Sequence, residues 1–421
     1  MLTIHVSCHV RLRVAWIMIK NPLYPSWKQH CFRAIVRAGT LAACLTMSAP
    51  VCMADVLSDQ LSTLRSIQPG DEKGLQQAAS IAKQLSSSKE LSLIQVLSAM
   101  KGASPIGKNW LVGLANGLHR RSSATQTAEL EKFLADKTQD GEARYTVFRW
   151  LTDNNEERKA QWLDEMLFDP SLEIRFDAVA RALASSEEID QARLTTLLDA
   201  ARHPEQVAAV IARLGKAGVE VDEAKHFGFL TRWDFIGPFD NIGSKNFDKV
   251  YPVETDWTRN QLADSYEGKT GKVTWIEGTS EGPEKIVGLA KNGEEKGRTE
   301  KKEKGPDQGL VDLAKLFNNE KGCIVYGKTT VNVPSDVDCE IRVGCINAQK
   351  VWVNGELVIA NEVYHTGMQI DQYAVPVRLK AGENRILIKV CQNEQKEAWA
   401  QQFTFQSRLC DSTGKAITLA P

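Results

Sequence analysis

Residues whose types and spacing could do chemistry are few in this chain. Gly278-Thr279-Ser280-Glu281-Gly282 fits G-x-S-x-G, the pattern of a serine nucleophile on a sharp strand-to-helix turn. That chemistry needs a parallel sheet beneath the serine, a helix starting at it, and an acid and then a histidine downstream. The chain before Gly278 reads as mostly helical without alternating strands and helices, and Pro283 with a charged run follows, so no hydrolase is predicted from the match. His365 has no carboxylate or nucleophile at a spacing that fixes a partner, and reads as a loop histidine. Glu156-Glu157 and Glu187-Glu188 fall at predicted helix starts, where negative charge complements the macrodipole. Trp110, Trp150 and Trp162 lie beside apolar helical stripes and are expected to be core.

Binding chemistry is the other option. Trp352, Tyr364, His365, Tyr373 and Trp399 are aromatics near predicted loops whose faces can stack on sugar rings, with Asp371 or Asn361 to hydrogen-bond hydroxyls. The candidate binding residues are therefore Trp352, Tyr364, His365, Asp371 and Trp399; the competing reading makes the domain that carries them purely structural. No catalytic residue, metal site or cofactor is expected. There is no C-x-x-C, and beyond residue 54 the only histidines are His119, His203, His226 and His365, too few and too dispersed for a His-based metal site.

Trp352 sits in "QKVWVNGELVIA", Gln349 to Ala360, two short apolar strands joined by Asn354-Gly355, a strong two-residue hairpin signal. Such a hairpin sets Trp352 opposite Leu357 and Lys350 opposite Ile359, with Val351, Val353 and Val358 on the reverse face. Both faces are then apolar, so a second layer must cover the hairpin, either the last helices before it or the flanks of the charged run. Trp352 is either a sugar platform or a packing residue in that seam.

The positioning elements divide the chain in two. From about Leu75 to Leu214 the apolar residues recur at helical spacing: Leu111, Leu114 and Leu118; Leu172, Phe176, Val179 and Leu183; Val207, Ile211 and Leu214. Breaks at Gly102 to Pro105, Asp140-Gly141, Asp169-Pro170 and His203-Pro204 are spaced like those of stacked helix pairs. From "FLTRWDFIGPFDN" onward, β-branched and aromatic residues alternate with polar ones. Cys339, Ile341, Val343 and Cys345 share a face, as do Tyr373, Val375, Val377 and Leu379, where Pro376 argues for an edge or bulge. Ile386, Ile388 and Val390 point inward. Strands at this spacing predict an antiparallel sandwich. "KNGEEKGRTEKKEKGPDQG" is a solvated loop, and "LVDLAKLF" after it predicts one helix.

Composition bounds the rest. At 421 residues, 43% apolar and 25% charged, the chain has globular composition and room for two or three domains. The first 54 residues hold six Lys/Arg and no Asp or Glu, ending in "AGTLAACLTMSAPVCMA", a secretory leader with exit after Ala54. Translation from Met18 would give a more ordinary leader. Leu41-Ala42-Ala43-Cys44 is a rival exit of lipoprotein type, which would leave a lipid anchor at Cys44. Without the leader, 46 Lys+Arg face 53 Asp+Glu, a net of −7. An acidic surface without a basic aromatic stripe argues against nucleic acid, and no later run is long enough to span a membrane. Five cysteines remain, Cys323, Cys339, Cys345, Cys391 and Cys410, which either pair in part or serve as small buried hydrophobes.

Two resemblances follow from quoted residues. Asp169-Pro170, Arg175 and the stripe of Ala178 to Leu183 resemble the HEAT repeat, which implies a turn Asp and a helix Arg laddering between neighbours; an irregular helical bundle is the alternative. The order "WDFIGPF", "VDLAKLF", "VWVNGELV", "VPVRLKAGENRILIKV" and "FTFQSRLCDSTGK" resembles the galactose-binding-like jelly roll of secreted bacterial proteins and of family 2 glycoside hydrolases. Related lectin-type sandwiches end the strand before the Trp in an Asp-Asp pair that holds calcium. Here the place reads Cys345-Ile346-Asn347-Ala348-Gln349, without the carboxylate charge that cation needs.

The expected architecture is multidomain α and β: a leader over 1–54, a HEAT-like α-solenoid over 55–222, and an antiparallel β-sandwich (jelly roll) over 223–421 with a charged loop at about 284–308. The expected function is that of an exported, periplasmic or extracellular, non-catalytic binding or scaffolding protein. Its partners would be a protein, a glycan or both. An accessory or degenerate glycan-processing enzyme is the alternative.

Overall fold

The computed structural model describes residues 53–68, 71–121, 126–185, 189–279, 309–397 and 400–420. Eleven α-helices precede the first strand among the described residues: α1 (Met53–Arg65), α2 (Glu72–Ser87), α3 (Leu93–Ala99), α4 (Pro105–His119), α5 (Thr127–Ala135), α6 (Gly141–Thr152), α7 (Glu156–Glu165), α8 (Leu172–Ala184), α9 (Gln191–Ala200), α10 (Pro204–Lys216) and α11 (Glu223–Phe227). Most begin where a short polar side chain can bind the free N–H groups of the first turn. Asp71, Ser92, Ser104, Asp140, Asn155, Ser171, Asp190 and Asp222 all do so, each contributing about 1 kcal/mol. Helices α5 and α6, α7 and α8, and α9 and α10 pair in succession, sharing a core that includes Phe148, Val179 and Leu197.

The face that α8 buries differs from the expected stripe. Ile174, Arg175, Ala178 and Val179 are buried, whereas Leu172 is 37% and Phe176 40% exposed. The shift has a polar cause. Arg175 turns inward to donate from Nε to the Asp169 carbonyl at 3.0 Å, which places it on the buried face beside Ile174, Ala178 and Val179. Asp169 itself takes its ion pair from the preceding pair of helices: Arg144 of α6 donates Nε to Oδ1 at 3.1 Å and Nη2 to Oδ2. Both side chains are sealed from solvent.

Among the described residues twelve strands follow: β1 (Arg232–Asp240), β2 (Ser265–Glu267), β3 (Lys272–Thr274), β4 (Ile276–Thr279), β5 (Val311–Asp312), β6 (Cys323–Val333), β7 (Val337–Cys345), β8 (Ala348–Val353), β9 (Glu356–Asn361), β10 (Tyr373–Leu379), β11 (Gly382–Gln392) and β12 (Thr404–Cys410). A six-stranded sheet runs β4-β1-β6-β11-β8-β9 and a four-stranded one β10-β7-β12-β5, all antiparallel, with β2-β3 apart. The expected helix in "LVDLAKLF" shrinks to α13 (Leu313–Leu316) after the two residues of β5, and α12 (Pro252–Arg259) lies between β1 and β2.

Alternation sets both faces of the larger sheet. Phe235, Val325, Val351, Ile386, Ile388 and Val390 meet Cys339, Ile341, Val343, Cys345 and Phe405 of the smaller sheet in the inter-sheet core. Pro376 is tolerated because β10 is an edge strand, paired only with β7. The outward residues Phe239, Tyr326, Trp352 and Leu387 build a second core with Phe247, Tyr251, Val253, Trp257 and Tyr266. The layer covering the hairpin is thus the segment after β1, carrying α12 and the β2-β3 pair. A bulge adds a further correction: Trp352 faces Leu357, but Val351 faces Ile359 and Lys350 faces Ala360, leaving Val358 as the extra residue.

The chain leaves α11 through Gly228, whose φ of +75° closes the helix; a Cβ there would meet the Leu409 carbonyl oxygen at 2.6 Å. Gly228, Phe229 and Leu230 then run beside β12, with Leu230 N donating to Ser407 O at 2.8 Å and Leu409 N to Gly228 O at 3.1 Å. The described residues from 54 onward form one compact unit, and no helix among them is long and apolar enough to cross a membrane.

Candidate binding site

The ends of β1, β8 and β11 and the loop between β9 and β10 converge at one end of the sandwich. Strand parity decides what arrives there. Gln349 shares its face of β8 with Val351 and Val353, and Gln392 shares its face of β11 with Ile388 and Val390, so both amides point between the sheets. Asn241, Asn347, Gln349 and Gln392 are all fully buried.

Most of these amides are bonded to one another. Asn347 Nδ2 donates to Gln392 Oε1 at 2.7 Å, and Gln392 Nε2 donates to the carbonyls of Ala400 and Gln402. Asn241 Nδ2 donates to the Tyr364 hydroxyl and to Gln392 O, both at 3.1 Å, and its Oδ1 accepts from Asn246 N. Asn347 Oδ1 and both carboxamide atoms of Gln349 have no hydrogen-bond partner among the described residues. A buried unsatisfied polar atom costs about 1–3 kcal/mol, so this end is polar at some expense to the fold.

Half-buried groups form the rim. His365 Nε2 lies 2.9 Å from Asn393 Oδ1. Gln372 Nε2 donates to Thr366 Oγ1 at 2.9 Å, and its Oε1 accepts from Cys345 N. Burial pushes the Tyr364 phenol up to about 12, against the pull of the Asn241 bond, so it stays a neutral donor and acceptor at ordinary pH. His365 holds a left-handed backbone, φ +56°, a conformation that costs a non-glycine residue energy and is concentrated at functional loops. Ile242 and Val363, each next to the bonded Asn241–Tyr364 pair, are 59% and 45% exposed. Chemically, the rim offers neutral hydrogen-bonding groups beside exposed apolar surface, with the exposed carboxylates of Glu362 and Glu394 next to them, the latter accepting from Gly243 N.

The five sequence candidates scatter. Tyr364 and His365 stand together on this rim, with ring centroids 6.4 Å apart. Trp352 lies in the second core, 7% exposed. The Asp371 carboxylate is taken by Arg342 Nη1 at 2.8 Å and Arg408 Nε at 2.6 Å. Burial draws its pKa upward, but these two guanidiniums hold it below the usual range. Trp399 lies outside the described residues. Sequence reasoning missed Asn241, Gln392 and Asn393, and weighed Asn347 and Gln349 only as stand-ins for a calcium-binding Asp pair; the available signal was an amide at an inward position of an otherwise apolar strand, as at Gln349 and Gln392.

The other motifs have structural settings. Gly278 is the penultimate residue of β4, an antiparallel edge strand, and is buried against the Phe235 ring, so the strand entering G-x-S-x-G lacks the parallel sheet of an elbow; Ser280 to Gly282 are outside the described residues. Glu156 and Glu157 occupy the first turn of α7, and Glu187-Glu188 are outside the described residues. Trp110, Trp150 and Trp162 are half-buried against the helical core. A groove of about 980 Å³ runs beside α7 and α8 to the start of α9, lined by polar groups such as Lys159, Arg181 and Arg193.

No protein-family model and no curated protein matches the chain. Solved structures show local likeness only. A β-glucosidase from Kluyveromyces marxianus is similar at 15% identity over 23% of this chain and 11% of its own, TM-score 0.18, and its complex with glucose at 16% identity over 22% and 11%, TM-score 0.18. A GH31 α-xylosidase from Xanthomonas citri is similar at 10% identity over 24% and 13%, TM-score 0.15. The chain thus spans about an eighth or less of these enzymes' length.

Proposed function

We propose that this chain is an exported, non-catalytic recognition and scaffolding protein whose sandwich end takes a neutral glycan. In this reading the helix pairs form a HEAT-like solenoid offering its groove to a protein partner, and the two sheets form a galactose-binding-like jelly roll. The observation that carries the proposal is the rim of the amide-rich end: half-buried Asn393, Tyr364 and His365, backed by the buried amides of Asn241, Asn347 and Gln392 and flanked by exposed Ile242 and Val363. Amides both donate and accept, as sugar hydroxyls do, and their neutrality imposes no charge requirement on the ligand. Apolar side chains beside them suit the C–H faces of a pyranose.

The test is an array of neutral and acidic oligosaccharides probed with the purified chain, with retained glycans then analysed for cleavage. Retention of intact neutral glycans is expected. Cleavage that depends on His365 or Ser280 would establish the glycan-processing alternative, and retention of acidic glycans alone would reject an amide-based site.

A further inference from the structure

The seam between the helical region and the smaller sheet is unusually rich in charge. Arg408 of β12 donates Nη1 to the carbonyls of Phe227 at 3.1 Å and Gly414 at 3.0 Å. Arg342 of β7 shares Asp371 with it and also pairs with Glu340. The Cβ direction of Gly414 points at Arg342 Nη1, Arg408 Nη2 and Arg202 Cδ, at 3.2, 3.3 and 3.6 Å, so three arginines converge on one turn. Arg202, after α9, caps that helix through the Asp199 and Ala201 carbonyls. Burial first, and then Arg175 and Arg408, lower its pKa to about 10. Lys415 closes the seam with an ion pair to Asp199 at 2.9 Å.

His226 of α11 stands inside this set, its ring 5.3 Å from that of Phe227. Facing it are Asp199 of α9, Arg202 and the Ala201 backbone from the turn after α9, and Arg408 from β12. Asp411 and Arg175 in turn act on Arg202. We propose that this seam is an acid-sensitive latch, in which protonation of His226 places one more cation among the arginines and loosens the hold of the helical region on the sandwich.

The direction follows from the surroundings. Burial, then Arg202 and later Arg408, push His226 below its ordinary 6.5, against the Ala201 and Asp199 interactions. The latched state therefore favours the neutral ring. As pH falls below about 6.5 the released state takes up a proton that the latched state refuses, and latching weakens until pH has passed below the latched pKa. Asp199 and Asp371 are held below the usual carboxylate range, so both stay charged through this window. His119 is also lowered by burial, but it stacks on Trp150 at 4.1 Å within the helical region, away from the seam amides.

Hydrogen exchange of the purified chain at about pH 7.5 and about pH 5, corrected for intrinsic exchange, tests the latch. The amides of Leu230 and Leu409, bonded across the seam, should lose protection at least about threefold at the lower pH while Val325 and Ile388 of the sheet core keep theirs. His226→Gln should retain seam protection at both values. Equal protection of the wild type at both values, or the same loss in His226→Gln, would overturn the latch. Should that variant not fold, an NMR titration of His226 in the wild type decides instead: a midpoint below the ordinary value is expected, and one at or above it refutes the proposal.

Discussion

Lys389 is the residue whose partner matters most to the segment that brings Asn241 to the site. Its side chain is fully buried on the outer face of β11, and its Nζ donates to Glu254 Oε1 at 2.9 Å and to the carbonyls of Phe247 and Lys249 at 2.8 and 2.9 Å. Tyr326 adds a hydroxyl donor to the same Glu254 oxygen at 2.5 Å. Glu254→Gln keeps the shape and removes only the charge, leaving a buried ammonium with neutral acceptors. Breaking such a pair from one side costs about 3–5 kcal/mol. Removing both charges, as in Glu254→Gln with Lys389→Met, should cost less than the sum of the two single changes by about 2 kcal/mol, since no uncompensated charge is left buried. Urea unfolding of the four proteins, followed by tryptophan fluorescence, measures the cycle. Strictly additive losses, or a Glu254→Gln loss below about 1 kcal/mol, would refute the claim that this pair pins the covering segment.

Other consequences are as direct. Trp352→Ala should lower stability by about 3–5 kcal/mol through a cavity in the second core, measured by the same urea unfolding, while any glycan affinity of the folded variant stays unchanged. Cys323, Cys339, Cys345, Cys391 and Cys410 are unpaired and buried, and burial raises the thiols of Cys323 and Cys345 to about 12 and those of Cys339 and Cys410 to about 11. These five should react with a thiol reagent only after unfolding, as counted by absorbance with and without urea. Burial, with Glu173 adding to it and Lys159 opposing, raises the Asp177 carboxyl, so the folded state is penalised for its charge once pH exceeds the ordinary carboxylate range. Asp177→Asn should thus raise the melting temperature at about pH 7 and leave it unchanged at about pH 3, where both states are protonated.

Much of the sandwich was legible because strand parity is a local property. Cys339, Ile341, Val343 and Cys345 announced an inward face by alternation alone, Asn354-Gly355 announced the hairpin, and Pro376 an edge strand. The Val358 bulge was not legible, because one inserted residue leaves the apolar pattern of β9 nearly unchanged. The face of α8 was misjudged because apolarity outranked the buried hydrogen bond of Arg175 to the Asp169 carbonyl. The site was the least legible part. Its groups come from positions 241, 347 and 392, joined only by the order of β1, β11 and β8 in the sheet, and from Tyr364 in the loop after β9; three amides and a tyrosine so spaced match no short motif. Aromatic content drew the eye to Trp352, which packing claimed, whereas Tyr364 and His365 reached the rim through the loop that follows β9.

The most direct test of the proposed recognition site is a calorimetric titration of the neutral oligosaccharide best retained on the array, comparing the wild type with Asn393→Ala. Asn393 is half-exposed at the rim; its Oδ1 lies 2.9 Å from His365 Nε2 and accepts from Gln395 N, and its Nδ2 donates to Gln395 Oε1, so its truncation removes a binding group and loosens a surface turn without opening the core. The account predicts an affinity loss of about five- to tenfold, the worth of one hydrogen bond, with a stability loss of no more than about 1–2 kcal/mol in urea unfolding. Undiminished affinity in Asn393→Ala, or no neutral oligosaccharide retained by the wild type at all, would contradict it.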